Sequence, residues 1–287
     1  MAQIKDFFSE IKVGAKQNHK NMTLYCMLSA HEAPVDFMTL DNALKNDALI
    51  ITEVTESGSV PELKVNNKSD HKILLLDGEE LVGAKQNRVL NTTILIAPNS
   101  ETIIPVSCVE QGRWSSRAER MLVAPSPTMA MADLYESHKD ATEAYLCAFR
   151  PVFNQVGIIV FIDGAVAGIE ILNKFQSFRE IHSKLVSSYV MDALETSNLE
   201  IKPNHQSLRA KASKLLESAQ LSRIEERKSV ALGNDLRLES ERLMGSGLEF
   251  EEQILQLSIL GSDNGNGTSA KTKMRRASTR RENRTRQ

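Results

Sequence analysis

The sequence is short of the features that would assign it to a chemical class at once. Among its 287 residues it has three cysteines, Cys26, Cys108 and Cys147, which are far apart and include no CxxC pair. This excludes a disulfide framework and argues against a thiolate zinc site. No apolar run approaches the roughly 20 residues that span a bilayer, and the N-terminus lacks the apolar region of a secretory signal. We therefore expect a cytoplasmic protein with reduced, buried thiols and no membrane contact.

The common catalytic fingerprints are missing as well. The six histidines are scattered, without HxH, HExxH or Cys/His ligand spacing, so we expect no dedicated metal site. GxGxxG, GxxxxGK[ST] and GxSxG are also absent, which removes the usual dinucleotide, phosphate-loop and hydrolase signatures. The cofactor is therefore left open, and the sequence does not decide whether the protein is an enzyme.

The composition is that of an ordinary folded protein, with 41% hydrophobic and 25% charged residues. This supports a substantial core, and we expect a single globular domain over residues 1–260, or two intimate halves at 1–120 and 121–260. The net charge of −2 argues against a surface that binds nucleic acid throughout. Residues 261–287 are poor in apolar side chains and rich in Arg and Lys, which predicts a disordered basic tail.

The basic tail carries two hypotheses of its own. Arg275-Arg276-Ala277-Ser278 matches the preference of a basic-directed kinase, so Ser278 is a candidate phosphorylation site, where phosphate would offset the local positive charge. The tail could also contact polyanions such as RNA or DNA through salt-sensitive phosphate contacts. The plainer alternative is a solvated tail with an accidental match.

Hydrophobic periodicity predicts a mixed α/β fold of the α+β type, β-rich in the N-terminal half, with central helices and C-terminal strands. Asp163-Gly164 lies between two apolar runs and predicts a two-residue hairpin turn. Residues 88–96 are interpreted as one strand, Gly245-Ser246-Gly247 as a turn, and residues 229–260 as the C-terminal strands. The predicted helices cover residues 39–46 with Thr39 as the N-cap, 128–148, 177–194 and 207–219.

Two polar clusters follow apolar runs that predict buried strands. The first polar cluster is residues 79–88, Glu-Glu-Leu-Val-Gly-Ala-Lys-Gln-Asn-Arg, and the second is residues 108–114, Cys-Val-Glu-Gln-Gly-Arg-Trp. Because polar side chains gathered at strand ends often form a site, we predict that these two clusters build one. The alternative for the first cluster is a solvated hairpin with surface ion pairs, which contribute little stability.

Each residue type in the clusters suggests a role. Glu80 and Glu110 are candidate general acids or bases if partial burial raises a pKa. Arginine and lysine bind phosphate or carboxylate, and amides offer both a donor and an acceptor for a base or ribose edge. Trp114 could stack on a base as part of a binding wall. The predicted ligand-binding residues are Lys85, Gln86, Asn87, Arg88, Gln111, Arg113 and Trp114.

The hexapeptide Val-Gly-Ala-Lys-Gln-Asn occurs twice, at residues 13–18 and 82–87. The flanking residues do not match, so a duplicated domain is not indicated. Coincidence between two glycine-containing segments is the plainer interpretation. The alternative is that the N-terminal copy mimics the central one and competes for a shared partner.

The first cluster, together with Leu75-Leu76-Asp77-Gly78, and the segment 105–114 resemble a family named for its association with ADP-ribosylglycohydrolases and rhodanese-phosphatase proteins. The likeness continues to about Leu260, although Gln256 stands where the family is expected to show His. The resemblance implies a context of ADP-ribose or related nucleotide metabolism. It also agrees with phosphate contacts by the basic residues, stacking by Trp114, and acid–base work by Glu80 or Glu110.

Two hypotheses follow. The leading one is a cytosolic nucleotide- or ADP-ribose-related binding protein, or an enzyme of glycosidic or phosphoester transfer, with its site at the two clusters. The alternative is a non-enzymatic protein-interaction module, in which the clusters bind a protein partner and the basic tail modulates that contact. Clusters that converge would favour the first, and clusters on opposite sides of the fold would favour the second.

Overall fold

The computed structural model describes residues 2–55, 61–83, 87–108, 121–123, 139–196, 205–240 and 243–261. Within these residues the fold is mixed α+β, with a β-rich first half, three helices in the centre and strands at the C-terminal end. The predicted fold class is therefore confirmed. The basic tail, including Ser278, lies outside the described residues.

The helices and strands follow one another along the chain. They are α1 (Ala2–Glu10), β1 (Lys12–His19), β2 (Met22–Leu28), β3 (Phe37–Thr39), α2 (Leu40–Lys45), β4 (Leu49–Glu53), β5 (Glu62–Asn67), β6 (Lys72–Leu75), β7 (Glu80–Gly83), β8 (Arg88–Leu90), β9 (Ile94–Ile96), β10 (Ser100–Cys108), β11 (Met121–Val123), α3 (Lys139–Ala148), β12 (Gln155–Ile162), β13 (Ala165–Leu172), α4 (Phe175–Thr196), α5 (His205–Gln220), β14 (Arg223–Lys228), β15 (Asn234–Glu239), β16 (Leu243–Phe250) and β17 (Gln253–Gly261).

The chain divides into two compact units that are discontinuous in sequence. Unit 1 comprises Met1–Pro34, Tyr135–Lys228 and Asn234–Met274, and unit 2 comprises Val35–Leu134, Ser229–Gly233 and Arg275–Gln287. Whether the chain folds as one domain over residues 1–260 stays a prediction.

Unit 1 is built on an eight-stranded antiparallel sheet of order β1-β2-β12-β13-β17-β16-β15-β14. One face packs against α1 and α5 through a continuous apolar cluster, which includes Ile4, Phe8, Tyr25, Ile159, Ile169, Leu208, Ala212, Leu236, Leu257 and Ile259. On the other face, α4 packs over β12 and β13. β12 is buried along its whole length, and burial of both faces explains why it is apolar from Val156 to Ile162.

The β12–β13 hairpin confirms the prediction made from Asp163-Gly164. Asp163 has φ 51° and Gly164 has φ 78°, the left-handed conformations that a two-residue hairpin turn requires. Asp tolerates this region better than most residues and Gly has no Cβ to clash. Local turn chemistry therefore sets both the position and the ends of these strands.

Gly245-Ser246-Gly247 is not a turn, and that prediction was wrong. All three residues lie inside β16, between β15 and β17. A Cβ on Gly247 would lie 2.5 Å from the Gln256 carbonyl oxygen and would also meet the Leu257 side chain. The glycine is needed because a neighbouring strand approaches closely, which is the second common reason for glycine in a strand.

Unit 2 contains a six-stranded sheet of order β11-β7-β8-β10-β5-β4 and a three-stranded sheet of order β3-β6-β9. Its buried apolar cluster joins residues of both sheets, including Leu40, Ile51, Leu63, Val65, Ile73, Leu75, Leu81, Leu90, Ile94, Ile104 and Val106. As predicted, Thr39 caps α2, because its hydroxyl accepts a hydrogen bond from the Asn42 N–H at 3.4 Å.

The single strand predicted over residues 88–96 is in fact two strands in different sheets. β8 pairs with β7 and β10, whereas β9 pairs with β6. Side chains of the intervening residues are held locally: the Asn91 side-chain oxygen accepts from the Ser107 hydroxyl at 2.8 Å, and the Thr93 hydroxyl accepts from the Asp77 N–H at 3.2 Å. Continuous β-propensity did not reveal this change of sheet.

The thiol prediction holds for Cys26 and fails for Cys147. Cys26 is fully buried, and burial raises the pKa of its thiol to about 11. Cys147 is exposed on α3, since it points away from the packed side of that helix. The Cys108 side chain and residues 128–138 of the predicted 128–148 helix lie outside the described residues. Across the described part of the chain, no helix combines the length and apolar character needed to cross a membrane.

Candidate functional site

The first polar cluster forms the antiparallel hairpin of β7 and β8, and its described polar residues are buried. Glu80 pairs with Val89 and Leu81 pairs with Arg88, so the side chains of Glu80 and Arg88 point to opposite faces of the hairpin. Glu80 is 3% exposed, and Asn87 and Arg88 are 0% exposed. A solvated hairpin with surface ion pairs is therefore the wrong interpretation for these three residues.

Arg88 lies on the core face of the six-stranded sheet. Directly paired residues share a face, so Arg88 lies beside Leu81 on one side and Cys108 of β10 on the other. It forms an ion pair with Glu53 at the end of β4, with 3.8 Å between Arg88 Nη2 and Glu53 Oε1. The Glu53 side chain is itself only 12% exposed. This is a buried ion pair, and removing one partner from such a pair is strongly destabilising.

Glu80 lies on the opposite face of the hairpin, together with Asn87. The Asn87 side-chain amide donates to Glu80 Oε1 over 3.5 Å. This hydrogen bond uses one acceptor position of the buried carboxylate. The catalytic role of Glu80 stays a prediction.

Glu79 shapes the turn that leads into the hairpin. Its side chain accepts a hydrogen bond from the Leu76 N–H, with 2.8 Å between Oε2 and N. Gly78 has φ 86°, a left-handed conformation that most residues avoid. The backbone also closes on itself, because Gly78 N–H donates to the Leu90 carbonyl and Leu90 N–H donates to the Glu79 carbonyl. Glu79 thus orients the turn from which Glu80 starts.

The structure brings the start of the second cluster next to the first. Cys108, the last residue of β10, is directly opposite Arg88, the first residue of β8. The chain therefore enters β8 and leaves β10 at the same end of this strand pair. The remaining predicted site residues lie outside the described residues; they are Lys85, Gln86, Glu110, Gln111, Arg113 and Trp114.

Sequence reasoning missed a second buried polar group, in unit 1. Glu170 in the middle of β13 is 4% exposed; its Oε1 accepts from the Tyr189 hydroxyl at 2.7 Å and from the Ser258 hydroxyl at 3.4 Å. Burial, with an added contribution from the Asp192 carboxylate, raises the pKa of Tyr189 well above its usual range. Tyr189 therefore stays protonated and donates. In the sequence, this buried group is indicated only by a single carboxylate inside the apolar run Ala-Val-Ala-Gly-Ile-Glu-Ile-Leu.

His182 on α4 was also missed, because no spacing pattern singles it out. It is 1% exposed, and its ring packs edge-on against Phe178 with the centroids 5.7 Å apart. Within the described part of the chain neither ring nitrogen has a hydrogen-bond partner. Burial lowers the pKa of His182 from 6.5 to about 4, so the ring is neutral near pH 7.

The two copies of the repeated hexapeptide occupy different structural settings. The first copy lies in β1, an edge strand of the unit 1 sheet that carries an irregularity between Val13 and Lys16. There Gln17 bonds both backbone groups of Arg150, at 2.7 and 3.0 Å, and Arg209 donates to the Val13 and Gly14 carbonyls. The second copy begins with Val82 and Gly83 at the end of β7 and ends at Asn87, directly before β8, and its residues 84–86 lie outside the described residues. Competition for a shared partner stays a prediction.

By its fold, the protein is a two-unit α+β protein with buried carboxylates in the eight-stranded and six-stranded sheets. Among the residues described, no three His, Cys, Asp or Glu side chains are grouped in a way that suits a metal. The model of the ARG and Rhodanese-Phosphatase-superfamily-associated Protein domain matches residues 10–121 and 116–260. Because these matches cover most of the sequence, the chain belongs to this family, which confirms the resemblance. No curated protein and no solved structure matches the chain.

Proposed function

We propose that the protein binds a nucleotide or an ADP-ribose-like small molecule at the end of the β8–β10 strand pair. The observation that supports this most is the direct pairing of Arg88 with Cys108. In the sequence, Lys85 precedes Arg88 by three residues and Glu110 follows Cys108 by two, so the described ends of the two clusters meet at this pair. Convergence of this kind is the arrangement that a binding site needs.

In this proposal, most residues of the two clusters contact the ligand and one of them supports the site from below. Lys85 and Arg113 bind the phosphates, Trp114 stacks on the base, and Gln86, Asn87 and Gln111 read polar edges. Arg88 acts differently from the others, because its guanidinium is fully buried and lies 3.8 Å from Glu53. It holds the base of the site and stabilises the strand end from which the binding residues extend.

The ligand class is suggested by the family name, which links these proteins to ADP-ribosylglycohydrolase and to the rhodanese-phosphatase superfamily. Association by name is weaker evidence than a mechanism. It agrees, however, with a site that combines basic, amide and aromatic side chains. If the protein is an enzyme of glycosidic or phosphoester transfer, Glu80 and Glu110 are its acid–base pair.

Thermal unfolding of the full chain tests the proposal with ADP-ribose, NAD, ADP and inorganic phosphate as separate probes. A ligand at a hundred times its dissociation constant stabilises the native state by about 2.7 kcal/mol, which is measurable. Lys85→Ala and Arg113→Ala should each reduce the shift. Lys64→Ala is the matched control, because Lys64 belongs to the same unit and forms only an exposed ion pair with Glu101. Arg88→Ala is unsuitable, since it breaks a buried ion pair.

Two results would contradict binding of this ligand class at the two clusters. One is that none of the four probes raises the unfolding temperature. The other is that the Lys85 and Arg113 variants respond as fully as the wild type. Turnover of ADP-ribose or NAD by the wild type, lost in Glu80→Gln and Glu110→Gln, would extend the proposal from binding to catalysis.

A second candidate is a non-enzymatic protein-interaction module, favoured by one observation in unit 1. Phe153, in the loop before β12, is 89% exposed, and its neighbour Val152 is also exposed. Exposed large apolar side chains of this kind often bind a partner. Phe153→Ser should abolish capture of a protein partner in a pull-down, and removal of residues 261–287 should weaken it. Capture that persists in Phe153→Ser would exclude this surface.

A further inference from the structure

The eight-stranded sheet of unit 1 has two edges that differ in structure. At one edge β1 is irregular between Val13 and Lys16, and the Arg209 guanidinium donates to the Val13 and Gly14 carbonyls at 3.0 and 3.2 Å. At the other edge β14 runs in regular register with β15 over six residue pairs. Within the described residues no further strand pairs with β14. Since irregularities hinder the addition of a strand, β14 is the edge better suited to pairing.

One face of β14 carries charges of alternating sign, on the side of the sheet away from α1 and α5. Each direct pair that β14 and β15 form on this face joins a basic residue to an acidic one. These pairs are Arg223 with Glu239, Glu225 with Arg237, and Arg227 with Asp235. The charges therefore alternate along β14 and also across to β15. A further strand that continues this alternation would gain a favourable cross-strand pair at each position.

The other face of β14 brings the apolar cluster of unit 1 to the edge of the sheet. Ile224 packs against that cluster and is half-buried. Its direct partner on β15, Leu238, is buried. Ile224 is the only uncharged residue of β14, and the other five residues are exposed. A strand added at this edge would therefore meet one apolar side chain among charged ones.

We propose that β14 pairs with β14 of a second copy of this chain, in an antiparallel arrangement with Ile224 on the two-fold axis. Arg223 lies opposite Glu225 of the second copy, and Glu225 lies opposite Arg223 of the second copy. Ile224 lies opposite its own equivalent, so the two apolar clusters meet at the axis. The two sheets join edge to edge, and the interface is isologous, as in most homodimers.

The symmetry and the sequence together select this register. In an antiparallel pair related by a two-fold axis, one residue of the strand lies opposite its own copy. Every residue of β14 except Ile224 is charged. An axis at any other residue of the strand would thus place two like charges opposite each other, which is destabilising. With the axis at Ile224, no direct pair joins like charges.

The charged groups at the axis have the capacity for the additional contacts. Glu225 Oε1 accepts from Arg227 Nη2 at 2.6 Å and from Arg227 Nε at 3.0 Å. The other carboxylate oxygen of Glu225 has no hydrogen bond among the described residues, so it can accept from Arg223 of the second copy. Charges on an edge strand usually prevent pairing. Here they disfavour other strands but match the strand's own copy, which makes the pairing specific.

Sedimentation of the full chain over a wide range of concentration tests the proposal, at low ionic strength so that exposed charges are little screened. We expect the mass to rise with concentration from the 31.9 kDa of the monomer to twice that value. Arg223→Glu turns both ion pairs across the axis into like-charge pairs, so it should weaken association about tenfold or more. Glu225→Arg should have the same effect for the same reason.

A mixture of these two variants separates pairing at this edge from a loss of folding. In the mixed dimer the new carboxylate of one variant lies opposite the new guanidinium of the other. The second pair joins the unchanged Glu225 to the unchanged Arg223. The mixture should therefore dimerise about as strongly as the wild type, although each variant alone stays a monomer.

Arg227→Glu is the matched control, because Arg227 is an exposed cation on the same face of the same strand. In the proposed register it lies opposite Leu221 of the second copy and faces no charge there. This variant should associate much as the wild type does.

Three results would overturn the proposal. The first is a wild type that stays a monomer at every concentration. The second is an Arg223→Glu variant that associates as strongly as Arg227→Glu. The third is a mixture of Arg223→Glu and Glu225→Arg that fails to dimerise although far-UV circular dichroism shows both variants to be folded.

Discussion

Replacing His182 should remove a large part of the acid sensitivity of this protein. The ring is buried beside Phe178, and neither nitrogen has a partner among the residues described. Burial lowers its pKa from 6.5 to about 4, because the charged ring would lose its hydration without gaining a hydrogen bond. The unfolded chain takes up a proton near pH 6.5, but the folded protein takes it up only near pH 4.

The sign and size of the effect follow from linkage. Above pH 6.5 both states are neutral at this position and His182 costs nothing through titration. Between pH 6.5 and pH 4 the unfolded state holds the additional proton, so stability falls as the pH falls. The full loss below pH 4 is roughly 3 kcal/mol, and at about pH 5 it is roughly 2 kcal/mol. These are large fractions of a typical unfolding free energy.

The perturbation is His182→Leu, which keeps the volume similar and removes both nitrogens. Urea unfolding followed by far-UV circular dichroism, at pH 7.5 and at about pH 5, gives the pH-dependent loss of stability for each protein. We expect the variant to lose about 2 kcal/mol less than the wild type over this interval. At pH 7.5 it should be at least as stable, since an unsatisfied buried polar ring has been replaced.

His31→Gln is the matched control, because His31 is an exposed histidine of the same unit. Its loss of stability between the two pH values is compared with that of His182→Leu. If His182→Leu and the wild type lose the same stability between the two pH values, His182 is not a neutral buried ring. An NMR titration showing a His182 pKa near 6.5 would refute the reasoning directly.

Three further predictions concern the buried polar and glycine positions. Arg88→Ala should lower the unfolding free energy by about 3 kcal/mol, whereas the double replacement Arg88→Met with Glu53→Leu should cost much less, because it leaves no buried charge; urea unfolding that shows equal losses would contradict this. Tyr189→Phe should destabilise by about 1–3 kcal/mol through loss of the bond to Glu170, and calorimetric unfolding with no change would mean that the bond contributes nothing. Gly247→Ala should cost about 1–3 kcal/mol, because the added Cβ meets the Gln256 carbonyl and the Leu257 side chain; an unchanged melting temperature would show that β17 yields freely.

The sequence sufficed where the determining contacts are local. The Asp163-Gly164 turn specifies its own φ angles, and Thr39 caps the helix that begins one residue later. The apolar runs on either side of this turn predicted the two strands of the hairpin. The sequence motifs of the two polar clusters identified the family. These features depend on residues a few positions apart, so the order of residues along the chain was enough to predict them.

Local patterns were less informative where the partner of a residue lies far along the chain. β14 was not predicted because Arg-Ile-Glu-Glu-Arg-Lys is nearly all charged, a pattern that suits an edge strand but resembles a loop. Gly245 and Gly247 resemble a turn until β17 is placed beside them. Residues 88–96 have uninterrupted β-propensity, although the chain changes sheets within them. In each case the structure depends on pairing with a neighbouring strand, and the β-propensity of the segment itself does not indicate that strand.

For the candidate sites, the sequence determined which side chains were available, and the tertiary structure decided where the described ones point. Both clusters were identified from their composition alone, but only strand pairing placed Cys108 opposite Arg88. Residue type predicted a phosphate or carboxylate partner for Arg88, and only the tertiary structure placed the Glu53 carboxylate beside the buried guanidinium. The hydrogen bond between Ser258 and Glu170 joins residues 88 positions apart, and it exists only because β13 and β17 are paired in one sheet. The residue types determine which chemistry the side chains offer. The strand register and the burial of each residue determine where its side chain points and which residues it contacts.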